Sequence, residues 1–109
     1  MNNHYSFNMF WSFHFKKDQI EEGIKFFKEK YLDYAWEYGC MGFELFENHS
    51  DGHFIMGISY WNSKSDMDKF HKYWTGHEKE LSRYLSKPMK IEYFSFKEFL
   101  DKKHRRKTA

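Results

Sequence analysis

Three polar side chains fall where a small pocket can use them. Asn8 lies in the middle of an alternating segment, where a buried amide is satisfied by a neighbour or by a ligand. His14 stands near the end of that segment on the same face, either as a base near neutral pH or as a solvated strand-end residue. His77 follows Gly76 at a break between helical pieces, where it caps a helix, lines a cavity mouth or is simply solvated. These are the candidate catalytic residues. Trp61, in Trp61-Asn62-Ser63-Lys64, offers a flat wall for stacking a planar ligand, beside its commoner role in packing. Phe10, Ile55 and Ser59 are further candidate substrate contacts. Other chemistries are not signalled: there is no glycine-rich phosphate loop, no G-x-S-x-G and no dinucleotide fingerprint. His49 and His53 flank a turn, but two histidines fall short of the three or four ligands of a zinc site. His71 and His77 are six apart, a poor spacing for one helical face. No metal is expected.

The elements that must position these residues follow from periodicity. Tyr5–Phe15 alternates, with Tyr5, Phe7, Met9, Trp11, Phe13 and Phe15 on one face and His4, Ser6, Asn8, Phe10, Ser12 and His14 on the other. A long helix comes next. Asp18 with Glu21 has the capping-box spacing, and Ile20, Ile24, Phe27, Tyr31 and Tyr34 form one apolar stripe. Gly39 is a plausible stop. Met41–Asn48 reads as a strand, Ser50-Asp51-Gly52 as a turn, and His53–Trp61 as the returning strand of a hairpin. Ser63 with Asp66 repeats the capping pattern and opens a second helix with Met67, Phe70 and Trp74 inward. Thr75-Gly76 interrupts it, Lys87-Pro88 ends the short continuation, and Met89–Phe96 is the last strand. A short helix is expected around Phe99 and Leu100. The order β-α-β-β-α-β predicts an α+β, ferredoxin-like domain: a four-stranded antiparallel sheet with both helices on one face.

The chain has 109 residues, which suits one domain, assigned to residues 1–97, with a basic tail over 98–109. Net charge is +2 and the basic run Lys102–Lys107 sits at the end, so it reads as a solvated tail, and neither nucleic acid nor a membrane is an expected partner. Cys40 is the only cysteine, which fits a reducing, cytoplasmic setting, and no segment is long and apolar enough to span a bilayer. Aromatic residues make up 23% of the chain, more rings than a small core comfortably buries, so compositional drift or a ligand cavity or subunit interface must account for them.

Two helices cover only one sheet face. Phe10, Ile55 and Trp61 are expected on the other, together with Asn8, His14 and Ser59. An exposed apolar face of that kind marks an interaction surface, and a second copy closing sheet against sheet is the simplest cover. The enclosed chamber would then hold the candidate site.

With Met41-Gly42-Phe43-Glu44-Leu45-Phe46-Glu47, the hairpin, Tyr60-Trp61-Asn62-Ser63-Lys64, His77 and Leu81, the sequence resembles the antibiotic biosynthesis monooxygenase family from about Phe7 to Phe96. The motif residues are Gly42-Phe43 opening the second strand and Trp61-Asn62-Ser63 closing the third. The resemblance implies a homodimer, a dimeric α/β barrel with one cavity per subunit. It also implies oxidation of a planar aromatic or quinol with molecular oxygen, without a metal or flavin cofactor, and a cavity that includes Trp61. Gly57, Met67 and Leu81 stand where the aromatic-polyketide oxygenases of the family carry asparagine, tyrosine and arginine. A second branch of the family implies haem binding and degradation. There Asn8 matches the asparagine and Phe70 takes the tryptophan position, a ligand contact, while His77 lies one turn before the histidine position near Leu81. The third alternative is a non-catalytic dimer that binds a small aromatic or hydrophobic ligand.

Overall fold

The alternating segments become the strands. In the computed structural model, which describes residues 7–104, β1 (Phe7–His14), β2 (Cys40–Glu47), β3 (Phe54–Trp61) and β4 (Lys90–Ser95) form one antiparallel sheet in the order β2-β3-β1-β4. Two helical segments pack on the same side of it. The first is α1 (Ile20–Phe27), a π turn (Lys28–Leu32) and α2 (Asp33–Tyr38); the second is α3 (Lys64–Thr75) with the short α4 (Glu78–Ser82). This is the expected ferredoxin-like α+β architecture. His4, Tyr5 and Ser6 lie outside the described residues, as does the end of the basic tail, residues 105–109. Among the described residues no helix is long and apolar enough to cross a membrane.

Local signals account for most element ends. Gly39 takes the left-handed φ of 108° that closes α2, a conformation open to glycine at no steric cost. Ser63 caps α3, its hydroxyl accepting from the Asp66 amide at 3.2 Å. Asn48 and Asp51 fold the hairpin turn through their own side chains. Two expectations fail. Asp18 is not the cap of α1: the N-cap is one residue later, Gln19, without a side-chain cap bond, because the preceding turn already closes through the Gln19 amide and the Lys16 carbonyl. Around Phe99 and Leu100 there is no helix; both rings and chains are exposed, and a single 3₁₀ turn forms later, at Lys102–His104. Its apolar side chains, Phe96, Phe99 and Leu100, stay exposed, so no burial supports a helix there.

The π turn reshapes the first helical stripe. In an uninterrupted α-helix a spacing of four residues overshoots by about 40° each time. The wider π turn takes up that drift, so Gly23, Phe27, Tyr31 and Ala35 all face the sheet. Tyr34, expected inward, is instead pushed to the surface.

Strand register decides which side chains meet. β1 pairs with β3 as Phe7↔Trp61, Met9↔Ser59, Trp11↔Gly57 and Phe13↔Ile55. Directly paired residues share a face, so all eight point at the helices. The opposite face carries Asn8, Phe10, Ser12 and His14 beside Phe54, Met56, Ile58 and Tyr60, with Glu44 and Phe46 from β2 and Phe94 from β4. It is uncovered, and its side chains are half-buried or exposed, except Asn8, which is buried.

Candidate functional site

The covered face is an aromatic interior with a small polar centre. Trp11, Trp61, Trp74, Tyr31, Phe13, Phe27 and Phe70 are all essentially inaccessible to solvent. Rings of this size each bury roughly 150–250 Å², about 4–6 kcal/mol of transfer free energy apiece. They need small residues beneath them. Gly57 is one: a Cβ there would lie 2.8 Å from Cζ of Phe43, so the Phe43 ring fills the space a side chain at 57 would occupy. Ser59 is the other. Its hydroxyl oxygen accepts from Trp61 Nε1 at 2.9 Å and from Trp11 Nε1 at 3.3 Å. Tyr31 stands over it, edge-on to Trp11 at 4.4 Å and to Trp74 at 4.9 Å between ring centres. Burial drives the Tyr31 phenol well above its ordinary pKa, with Cys40 adding to the rise and Ser59 opposing it. The Tyr31 hydroxyl thus feels Ser59, yet its own hydrogen, like that on Trp74 Nε1, meets no acceptor among the described residues.

Above Trp74 the interior meets the surface in a cleft of about 260 Å³. The first helical segment gives it Phe26, Lys30 and Tyr34; α3 and α4 give it Tyr73, Trp74, His77 and Glu80. The volume sits near the lower bound of small-molecule sites. His77 is stacked on Tyr73 at 4.3 Å, and Tyr73 lies tilted against Tyr34 at 4.8 Å, so one wall is aromatic. Tyr73 is pushed up to about 12, first by burial and then by Tyr34. His77 Nδ1 lies 2.8 Å from the Tyr73 carbonyl oxygen. A carbonyl only accepts, so Nδ1 carries the hydrogen and Nε2 of the neutral ring keeps its lone pair, the state a proton acceptor needs.

Comparison with solved structures places this geometry. A monooxygenase of Streptomyces coelicolor solved in complex with nanaomycin D superposes with a TM-score of 0.73 at 12% identity, covering 91% of this chain and 94% of that one. A structure named antibiotic biosynthesis monooxygenase gives 0.65 at 13%, over 81% and 95%. The chain has the antibiotic biosynthesis monooxygenase fold. A dimeric ferredoxin-like protein from an uncultured marine organism, with a TM-score of 0.69 at 14% identity over 90% and 94%, shares it. No family model matches the sequence, and no curated protein matches it.

Within that fold the predicted site residues separate into three groups. Ile55, Ser59, Trp61 and Phe70 come together in the interior, with Trp61 and Phe70 rings 5.5 Å apart. Asn8, Phe10 and His14 lie on the uncovered face, where Phe10 packs on Phe94 and His14 stacks on Phe54. His77 is on the helix side, at the cleft. A single chamber holding Asn8, Phe10 and His14 with Ile55, Ser59 and Trp61 therefore does not exist in this chain. The register pairs residues of like parity, and that puts the whole sheet between the two sets. The positions of the polyketide oxygenases' polar residues are apolar here: Gly57 lies under Phe43, while Met67 and Leu81 are buried in the core. Two residues that sequence reasoning passed over, Tyr31 and Trp74, prove central. The available signal was their polar atoms on stripes that, apart from Tyr34, are otherwise apolar. Among the described residues no group of three His, Cys, Asp or Glu side chains could hold a metal ion.

Proposed function

We propose that this chain is a monooxygenase of the antibiotic biosynthesis type that acts on a planar phenol or quinol, with dioxygen as the oxidant and no bound metal or flavin. One observation carries the reading: a base-competent imidazole, His77, held on an aromatic wall over a cleft of about 260 Å³. A planar ligand stacks on Tyr73 and Tyr34. Its phenol proton passes to Nε2 of His77, and the resulting phenolate is the electron donor. For a simple hydroxyarene the balance is direct. One oxygen atom bonds the ring carbon and becomes a carbonyl, the other leaves as water with the two hydrogens lost from that carbon and from the phenol, and the product is a quinone. A second copy, docked on the uncovered sheet face through Phe10, Met56, Ile58 and Phe94, completes the dimeric barrel. The likeness to a dimeric protein and the apolar character of that face support it.

Haem fits poorly. Phe70 and Leu81, at the positions of the haem-degrading branch, are sealed in the core, and no step is drawn through haem; the expected result with haemin is no Soret band. The decisive measurement is oxygen uptake with 1-naphthol in the presence of a chelator. His77→Ala, with its circular dichroism unchanged, is expected to lose about 10²-fold or more of kcat, the usual contribution of a positioned base. Equal turnover in the variant removes the role of His77, and no uptake by the native protein removes the oxygenase reading.

A further inference from the structure

The polar centre of the interior has more donors than acceptors. Ser59 Oγ accepts from Trp11 and Trp61, which uses both of its lone pairs. The Ser59 hydrogen is left for the Tyr31 oxygen, the neighbour whose ionisation it opposes. That leaves the Tyr31 O–H and the Trp74 N–H. Both groups are buried, and among the described residues neither hydrogen meets an acceptor. Interiors seldom tolerate one such orphan, still less two adjacent ones. Water corrects this imperfectly: it accepts two hydrogen bonds but brings two hydrogens of its own, into a site whose acceptors are spent. A group that only accepts fits the deficit better.

Two further observations connect the orphans to a ligand. The π turn at Lys28–Leu32 is what holds Tyr31 inward, and such turns recur at functional sites. Trp74 links the interior and the cleft: the residue that bears the orphan N–H is also one of those that line the cleft. We propose that the Tyr31 hydroxyl and Trp74 Nε1 bind the acceptor oxygen, a quinone carbonyl or a phenolate, of the planar ligand admitted by this cleft. The inference rests on the reading that the cleft takes a planar aromatic, and it adds which atoms recognise the oxygen. Because the interior is closed in the free chain, the Trp74 ring turns as the ligand enters.

The test is calorimetric titration under anaerobic conditions with a matched pair, anthraquinone-2-sulfonate and anthracene-2-sulfonate, which differ only in the ring oxygens. The native protein is expected to prefer the quinone by about tenfold or more, as befits buried hydrogen bonds to an otherwise unmet pair of donors. Tyr31→Phe should lower that preference about tenfold while affinity for the anthracene stays within about twofold, and Trp74→Phe should lower the preference by a similar factor. Tyr31→Phe should also leave the urea midpoint unchanged or higher, since it deletes an unpaired group. Should Trp74→Phe not fold, Tyr31→Phe decides alone. The inference is overturned if neither compound binds, if the preference survives Tyr31→Phe, or if that variant is destabilised as though a satisfied bond, to water for instance, had been lost. Turnover of 1-naphthol is scored separately. Loss of the preference without loss of turnover supports recognition by these atoms apart from rate, whereas a retained preference with no oxygen uptake keeps this site and sinks the oxygenase reading alone.

Discussion

The two faces of this one sheet are built from similar side chains and have opposite fates. The covered face carries Met9, Trp11, Phe13, Ile55 and Trp61, none more than 3% exposed. On the uncovered face Phe46 and Phe94 stay nearly half exposed, and polar groups sit between the apolar ones, as in the Tyr60–Glu44 hydrogen bond. Apolar content therefore does not tell the faces apart. What distinguishes the covered face is the pair of small residues, Gly57 and Ser59, over which large rings close. The uncovered face has no such accommodation and presents a surface that can be covered or left wet without rearrangement inside.

Substitutions that hit matched positions on the two faces can break or sharpen this contrast. Trp11→Ala should cost about 3–5 kcal/mol in urea unfolding, because the rings around it cannot collapse into the hole. Its neighbour in sequence on the other face, Phe10→Ala, should cost well under half of that in the isolated chain; equal losses would erase the distinction. The two strand glycines make the next comparison. Gly57→Ala forces the partly buried Phe43 ring aside from 2.8 Å and should destabilise by about 1–3 kcal/mol. At Gly42 an added Cβ meets only Tyr60 at an ordinary 3.7 Å, so Gly42→Ala should be close to neutral.

Alkaline pH probes the covered face without mutation. Burial raises Tyr31 well above its ordinary value and pushes Tyr93 up to about 12. A raised pKa in the folded chain means that the unfolded chain ionises first. The stabilisation is whole below about pH 10, the ordinary phenol value, and is lost as pH climbs toward 12. The urea midpoint should fall across that window, and the tyrosinate absorbance of Tyr31 should emerge only with unfolding. A folded protein whose phenols all titrate together near 10 would contradict the buried assignment.

A modest effect on the fold is expected from Ile58→Asp, on the uncovered face opposite Glu44, at about 1 kcal/mol. Its effect on assembly should be complete. Sedimentation of the native protein is expected to give a dimer and of the variant a monomer; identical profiles would mean that this face is not where copies meet.

Much of this was legible in the sequence. Alternation placed all four strands to within a residue or two, Ser63 and Gly39 marked helix ends, and the inward stripe of α3, with Met67, Phe70 and Trp74, needed nothing beyond its spacing. The first helix was misread at Tyr34 because a π turn has no clear compositional mark. The candidate site was legible only in pieces. His77 was picked out by its place after a glycine break, and Trp61 by its motif, but the chamber assembled around them was wrong.

By itself the sequence determined that each strand has two faces, in which order the elements follow, and which stripe α3 buries, because those depend on local periodicity. Only the tertiary structure decided which face of β3 shares a side with which face of β1. Alternation gives every strand two equivalent phases, and Gly57 and Ser59 made the buried phase look like the polar one. Their smallness has meaning only once Phe43, Tyr31 and Trp11 are packed above them, and those rings arrive from distant parts of the chain.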